Sequence, residues 1–531
     1  MRLDENIYKE KGLWASKGYH IPAFDVPAVM EQTKKAPRWL HFGAGNIFRA
    51  FIARAMASLL EQGLSQTGII VAEGYDGEII DDIYRPHDLL SLAVHVDEQG
   101  HMEKSVVNSV TEALHADKSK KKDWQRLKEI FVSPSLQMVS FTITEKGYEL
   151  KKPLSNGSFL ELVASLLLER YGCGGHPLAL VSMDNCSRNG ERLWQVIHAI
   201  AEEWENTGKA PSGFVSYVDD PGRVAFPWTM IDKITPRPSE AVEQLLTKDG
   251  VEGLVNIETS KHTFIASFVN AEAFECLVIE DSFPGGRPPL EAAGFLMTDR
   301  LRVEIAEKMK VGACLNPLHT ALAIFGCLLR KDTIALAMAD PLLSRLVHRL
   351  GFEEGLPAAP NPGVLSPKTF LENVLGHRLC NAFIPDTPAR IATDTSHKIS
   401  VRFGQTVTAW QQRADLDSRQ LEIIPLVLAG WCRYLLGTDD LGQPMALSSD
   451  PCLDRLCPML EAVVRESHSL TGEAREQFIE CRLGPLFYEK ELWGCDLEMA
   501  GLIPAIVRDF SAMLEGPGAV LRTLEAIVGK E

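Results

Sequence analysis

The sequence predicts an α/β domain of the dinucleotide-binding kind, followed by a mostly α-helical domain. Three observations lead there. At 531 residues the chain exceeds what one hydrophobic core ordinarily serves, so two domains are expected. Near its start a short apolar run, Arg38-Trp-Leu-His-Phe42, enters Gly43-Ala-Gly45 and then an apolar-periodic helix reaching about Glu61. From about residue 300 to the end, apolar residues recur at helical spacing.

Composition narrows the function. A net charge of -17 argues against nucleic acid or an anionic membrane as the main partner, because both demand a basic surface. The expected partner is a small molecule, and an anionic one would need a local cationic pocket. The eleven cysteines are scattered, and Cys452 with Cys457 has no second pair at zinc-finger spacing. Residues 1 to 20 are polar, and no apolar run is expected to reach membrane-spanning length. A cytoplasmic protein with free thiols, monomeric or a small homo-oligomer, is the expectation.

In chain order, strand, glycine turn and helix is the arrangement a dinucleotide requires. The glycines permit a tight turn and close backbone approach, and the helix N-terminus faces the pyrophosphate. Gly43, Gly45, Asn46 and Arg49 are therefore candidate cofactor contacts, with Phe48 in place of a third glycine. The next strand, residues 68 to 73, ends on Glu73, where a carboxylate binds the adenosine ribose diol and disfavours a 2′-phosphate; Asp76 is the fallback. Strands at 138 to 144 and 178 to 183 lead into polar loops, which makes Thr144, Lys146 and Asn185 candidate site residues. Plain turn composition accounts equally for each. Asp232 is the one acid in a stretch of apolar residues. The proline- and glycine-rich run 279 to 289 reads as a linker, dividing the chain into 1–285 and 286–531. Helices are expected at 301–311, 317–330, 333–350, 368–377, 419–436, 454–466, 497–514 and 518–528.

The stretch 307–319 concentrates polar groups between apolar flanks. Glu307 and Lys310, three apart, share a helix face. Pro317 biases Asn316 away from the helical region, so one helix is expected to end near Gly312 and another to start with Asn316 as N-cap. On an unbroken helix Lys310 and Asn316 would sit roughly 240° apart, from ~100° per residue. Each residue also has a plain reading: Asn316 a cap, His319 a core histidine, Lys310 a surface lysine. Cys314 has little nearby to activate it. Further on, Arg378, Arg390, Lys398 and Arg402 gather cations and hydroxyls in an acidic chain.

Taken together the chain resembles the polyol-specific long-chain dehydrogenase family. The matching stretches are His41-Phe-Gly-Ala-Gly-Asn-Ile-Phe-Arg-Ala50, Thr144-Glu-Lys-Gly-Tyr148, Met183-Asp-Asn185, Phe226-Pro through Pro236, Ile279-Glu-Asp to Arg287-Pro, 307–319, and Asp394-Thr-Ser-His-Lys398. They occur in family order and span nearly the whole chain. The resemblance implies a Rossmann-like N-terminal domain, NAD as cofactor, and a metal-independent site. By it Lys310 is the acid/base, Asn185 and Asn316 stabilise the oxyanion, His319 positions the reacting oxygen, and Glu307 relays the proton. Asp232, Lys398 and Arg390 would contact the sugar. One departure stands out: five residues separate Lys310 from Asn316 where the family pattern has four, an insertion a local bulge would absorb. Lys308 competes with Lys310 but lies one residue off the face shared with Glu307. The cations at Arg390, Lys398 and Arg402, which could pair a carboxylate, and the form Thr-Glu-Lys146-Gly-Tyr, which resembles the hexuronate members of the family more than the polyol ones, favour a hexuronate over a polyol. The expected reaction is NAD(H)-dependent interconversion of D-fructuronate and D-mannonate, with tagaturonate reduction or mannitol 2-dehydrogenation as alternatives and a non-catalytic NAD-binding regulator as the reading from a different class.

Overall fold

The computed structural model describes residues 1–149 and 157–529. The chain forms two compact units, 1–304 and 305–531. In the first, six strands make one all-parallel sheet: β1 (Trp39–Phe42), β2 (Ile69–Glu73), β3 (Val110–His115), β4 (Met138–Phe141), β5 (Leu178–Ser182) and β6 (Val224–Ala225). Their spatial order is β3-β2-β1-β4-β5-β6, the order of a Rossmann fold. β1, β4 and β5 are buried throughout, because a parallel sheet is covered on both faces and its strands are nearly continuous apolar runs.

Alternation along each strand divides the core. Leu40, Phe42, Ile70 and Phe141 face one side, packed by α2 (Lys121–Val132), α3 (Phe159–Gly172) and α4 (Asn189–Asn206). Trp39, Val71, Met138 and Val181 face the other, against a π-helical turn Phe48–Ala53 and α1 (Arg54–Glu61). The polar member of β1, His41, is fully buried, with one ring nitrogen 2.6 Å from Ser140 Oγ and the other 2.9 Å from Thr142 Oγ1.

The expected linker is no linker. Strand Cys276–Glu280 pairs in parallel with Leu296–Thr298, so the proline- and glycine-rich run between them is the crossover of a three-stranded sheet that also holds Thr229–Asp232. Strand pairing across the run carries the first unit on to Glu304, and the boundary expected after residue 285 falls inside it.

The second unit is helical. α5 (Arg300–Met309) starts in the first unit and ends in the second, and is continued by a π-helical turn, Lys310–Cys314, and α6 (Asn316–Leu328). α6 packs against α7 (Ile423–Tyr434), all of whose residues are buried, and α7 against α8 (Ile503–Ala512). The first turn of α7 is capped from a distance: the Glu354 carboxylate accepts the N–H groups of Glu422, Ile423 and Ile424 at 2.6, 2.6 and 2.8 Å. The helix expected at 333–350 is two, Ile334–Ala339 and Pro341–Arg349, because Asp340 caps the second. Among the described residues of this unit, two α-helices of eight or more residues, Gln405–Gln412 and Gly472–Phe487, were not anticipated.

The expectation that no apolar run reaches spanning length is corrected. The continuous helix Arg300–Leu328 has 29 residues and is long and apolar enough to span, and 78% of its apolar stretch is buried inside the protein. It is a core helix built from two α segments joined by a π turn.

Candidate cofactor and catalytic sites

Sheet order reverses between β1 and β4, and in open α/β sheets the crevice at that switch point receives ligands. A cavity of about 780 Å³ opens there, lined by Gly43, Gly45, Asn46, Glu73, Thr144 and Lys146 among others. Gly43 has φ 108, and a Cβ on it would lie 2.3 Å from Thr142 O, so only glycine fits. A Cβ on Gly45 would meet nothing within 4 Å. Packing within the chain therefore does not demand that glycine.

Glu73 ends β2 and holds the turn in shape. Its Oε2 accepts Ala44 N–H at 2.8 Å, and its Oε1 accepts the N–H groups of Tyr75 at 2.7 Å and Asp76 at 3.2 Å. Of about four acceptor positions on a carboxylate, one remains for a hydroxyl. The fallback, Asp76, is committed to Thr259 and Thr263 hydroxyls. Arg49 does not line the cavity. Its guanidinium is buried and donates to Ala266 O and Asn46 Oδ1, so it holds Asn46 in place. Asn46 Nδ2 in turn donates to Pro236 O at 3.3 Å.

Thr144 sits at φ 65, ψ 159 in the turn after β4. Asp184, absent from the sequence candidates, fixes that turn by accepting the N–H groups of Ile143 and Thr144 at 2.9 Å each and the Tyr148 hydroxyl at 2.6 Å. Burial raises Asp184 above the usual carboxylate range, against the pull of those donors. Its signal in the sequence was an acid closing an apolar run. Its neighbour Asn185 is exposed at the carboxyl end of β5, and Asp232 is buried in strand Thr229–Asp232.

In the second unit, Glu307, Lys310, Asn316 and His319 lie on one helical run. Lys310 is buried and Lys308 exposed; Glu307, Asn316 and His319 are half-buried. The helix does not break as expected. Leu315 N–H donates to Lys310 O at 3.1 Å, a bond across five residues that makes the π turn. Leu315, at φ -131 and ψ -63, precedes α6, and Asn316 is its first residue instead of its N-cap. Proline at 317 is tolerated because the first-turn N–H groups have no helical partner. Thr406 Oγ1 donates to Gly312 O at 2.6 Å, satisfying a carbonyl inside the π turn. Cys314 is a core thiol, pushed up to about 12 by burial.

Of the expected sugar contacts, Arg390 is engaged elsewhere: it is a bidentate partner of Asp386 at 2.6 and 2.5 Å, with its side chain 68% exposed. A surface pair four residues apart is the more local solution for it. Lys398 donates to the carbonyls of Thr393 and Ile391. Arg402 donates to Thr320 Oγ1 on α6.

The first unit is thus a Rossmann dinucleotide-binding domain by strand order and crevice, joined to a helical domain. Family models agree: the mannitol dehydrogenase Rossmann domain matches residues 37–292 and the mannitol dehydrogenase C-terminal domain residues 302–513. The chain belongs to the mannitol dehydrogenase family. It is 47% identical to the D-mannonate oxidoreductase of Thermotoga maritima over 100% of both chains. To the mannitol 2-dehydrogenase of Cereibacter sphaeroides it is 27% identical, over 79% of this chain and 84% of that one. Among solved structures, Pseudomonas fluorescens mannitol 2-dehydrogenase in ternary complex with NAD and D-mannitol superimposes with a TM-score of 0.68 at 23% identity, covering both chains fully. A substrate-free D-sorbitol dehydrogenase gives 0.71 at 22%, covering 92% and 97%. These two likenesses establish the fold.

Proposed function

We propose that the chain is an NAD(H)-dependent oxidoreductase that interconverts D-fructuronate and D-mannonate. The observation that carries this reading is the full-length 47% identity to the Thermotoga maritima protein named D-mannonate oxidoreductase. The crevice fits the cofactor: the open space at Gly45 suits a pyrophosphate, and the remaining acceptor position of Glu73 suits a ribose hydroxyl. All eleven cysteines are free, which supports a reducing, cytoplasmic compartment.

When bound, the nicotinamide supplies or accepts the hydride. Reduction of the ketone builds negative charge on oxygen, and the carboxamides of Asn185 and Asn316 donate to that oxygen, each such donor worth roughly 2.7 to 4 kcal/mol. Lys310, buried away from bulk water, gives the oxygen its proton and takes one back in the reverse direction. Glu307, half-buried three residues before it, exchanges that proton with solvent. His319 orients the reacting oxygen, and Asp232 and Lys398 hold hydroxyl groups of the sugar.

NADH oxidation measured in parallel with fructuronate, tagaturonate and fructose tests the reading. Fructuronate should be the best substrate, and fructose as clearly the best would sink it. Lys310→Ala should lose most turnover while keeping NADH binding; near-normal rates would remove the lysine from the chemistry.

A further inference from the structure

Two arginines of this chain show how differently a guanidinium can be housed. Arg170 is fully buried and makes five hydrogen bonds, to the carbonyls of His176, Phe131, Ser133, Leu136 and Pro177. All its donor directions are used, as a structural arginine requires. Arg402 is half-buried and makes a single bond, Nη1 to Thr320 Oγ1 at 2.5 Å. Among the described residues no carboxylate pairs with it. Burial accordingly lowers it to about 10, with no opposing anion. Arg170 shows that a buried arginine needs no carboxylate when carbonyls take all its donors; Arg402 is different in keeping donor directions unused, which an anionic acceptor can take.

The position of those unused donors is set by α6. Thr320 Oγ1 donates its hydrogen to Asn316 O at 2.9 Å and accepts from Arg402 on one of its two lone pairs. The guanidinium is thereby tied one helical turn, about 5.4 Å along the axis, from Asn316. Lys398, four residues before Arg402, is lowered by burial and next by the positive charge of Arg402, so two cations lie close together here. Arg390, by contrast, is spent on Asp386.

We propose that Arg402 is the specificity-determining residue for an acidic sugar: its unused N–H groups take the substrate carboxylate as a planar fork, while Asn316 lies at the ketone end. This rests on the hexuronate reading above. A six-carbon acid whose carboxylate and ketone lie towards opposite ends has the length to reach both, and a polyol offers the fork nothing of matching charge.

Equilibrium binding of D-mannonate to the full chain with NADH present, followed by calorimetry, tests it. Arg402→Gln should weaken D-mannonate about 100-fold, the order lost when one partner of a charged pair is removed, and leave NADH binding unchanged. Arg402→Lys should recover part of the loss. Mannonate binding by Arg402→Gln within threefold of the parent would overturn the assignment. Should Arg402→Gln fail to fold, as judged by NADH binding, Thr320→Val is read instead, with about tenfold weaker mannonate expected and no change overturning the proposal. A parent protein that neither binds mannonate nor turns over fructuronate defeats the hexuronate reading itself, a result distinct from an Arg402 variant that behaves like the parent.

Discussion

Thr144 occupies a backbone conformation that costs a β-branched residue on the order of 1–3 kcal/mol, and the Asp184 carboxylate holds it there. Asp184→Asn sets a donor against a backbone N–H. Its expected outcome is a KM for NADH raised about tenfold, the size of one hydrogen bond to a charged group, with kcat little changed. An unchanged KM would separate this turn from the cofactor. Glu73 holds the glycine turn; the ribose hydroxyl is its proposed second duty, and equal use of NADPH would leave it only the first. His41 gives a pH dependence: burial, working against a Gly43 backbone hydrogen bond, pushes it down to about 3. The unfolded chain protonates it near 6.5, so below that pH the unfolded state binds more protons. Stability is full above pH 6.5 and falls by up to about 1.4 kcal/mol per pH unit towards 3. His41→Gln should flatten the acid limb of urea midpoint against pH. At this scale the sequence revealed residue types at strand ends. It could not separate Arg49, Arg390 and Arg402, because what distinguishes them is the partner each meets: Asn46, Asp386 and Thr320.

Elements carry the second lesson. A π turn removes about 100° from the rotation an unbroken helix accumulates. Lys310 and His319, nine residues apart, would sit about 180° apart on a plain α-helix and sit about 80° apart with the bulge. For Asn316 the two values are about 120° and about 140°, so the bulge turns His319, and hardly Asn316, towards the lysine. A chain with one residue fewer and no bulge reaches the same angles, so the bulge offsets the extra residue that the family resemblance implies. Deleting Val311 should therefore leave a folded protein with kcat within about tenfold of the parent, since the downstream face keeps its azimuth. Deleting Ala323 turns the rest of buried α6 by about 100° and should abolish folding. Circular dichroism and NADH oxidation read both. Loss of turnover in the folded Val311 deletion would mean the bulge matters for more than azimuth. The sequence exposed a disturbance here through Gly312 and Pro317, but a break and a bulge share that signal. The Thr406 bond to Gly312 O supports the bulge from outside the helix.

At the level of the whole molecule, a ligand that binds one native unit stabilises that unit. NADH at a hundredfold excess over its Kd should add about 2.7 kcal/mol to the unfolding of the first unit, seen in calorimetry as a shifted transition. A shift confined to a transition of the helical unit would contradict cofactor binding in the crevice. The sequence by itself determined the α/β and helical halves, the glycine turn and the run 307–319. These are local matters, set by apolar periodicity and by the conformations glycine and proline permit. Only the tertiary structure decided the β3-β2-β1-β4-β5-β6 order, the extension of the first unit through residue 304, and which sheltered arginine keeps donors unused. Those depend on strands and side chains far apart in the chain, where local spacing carries no information about who meets whom.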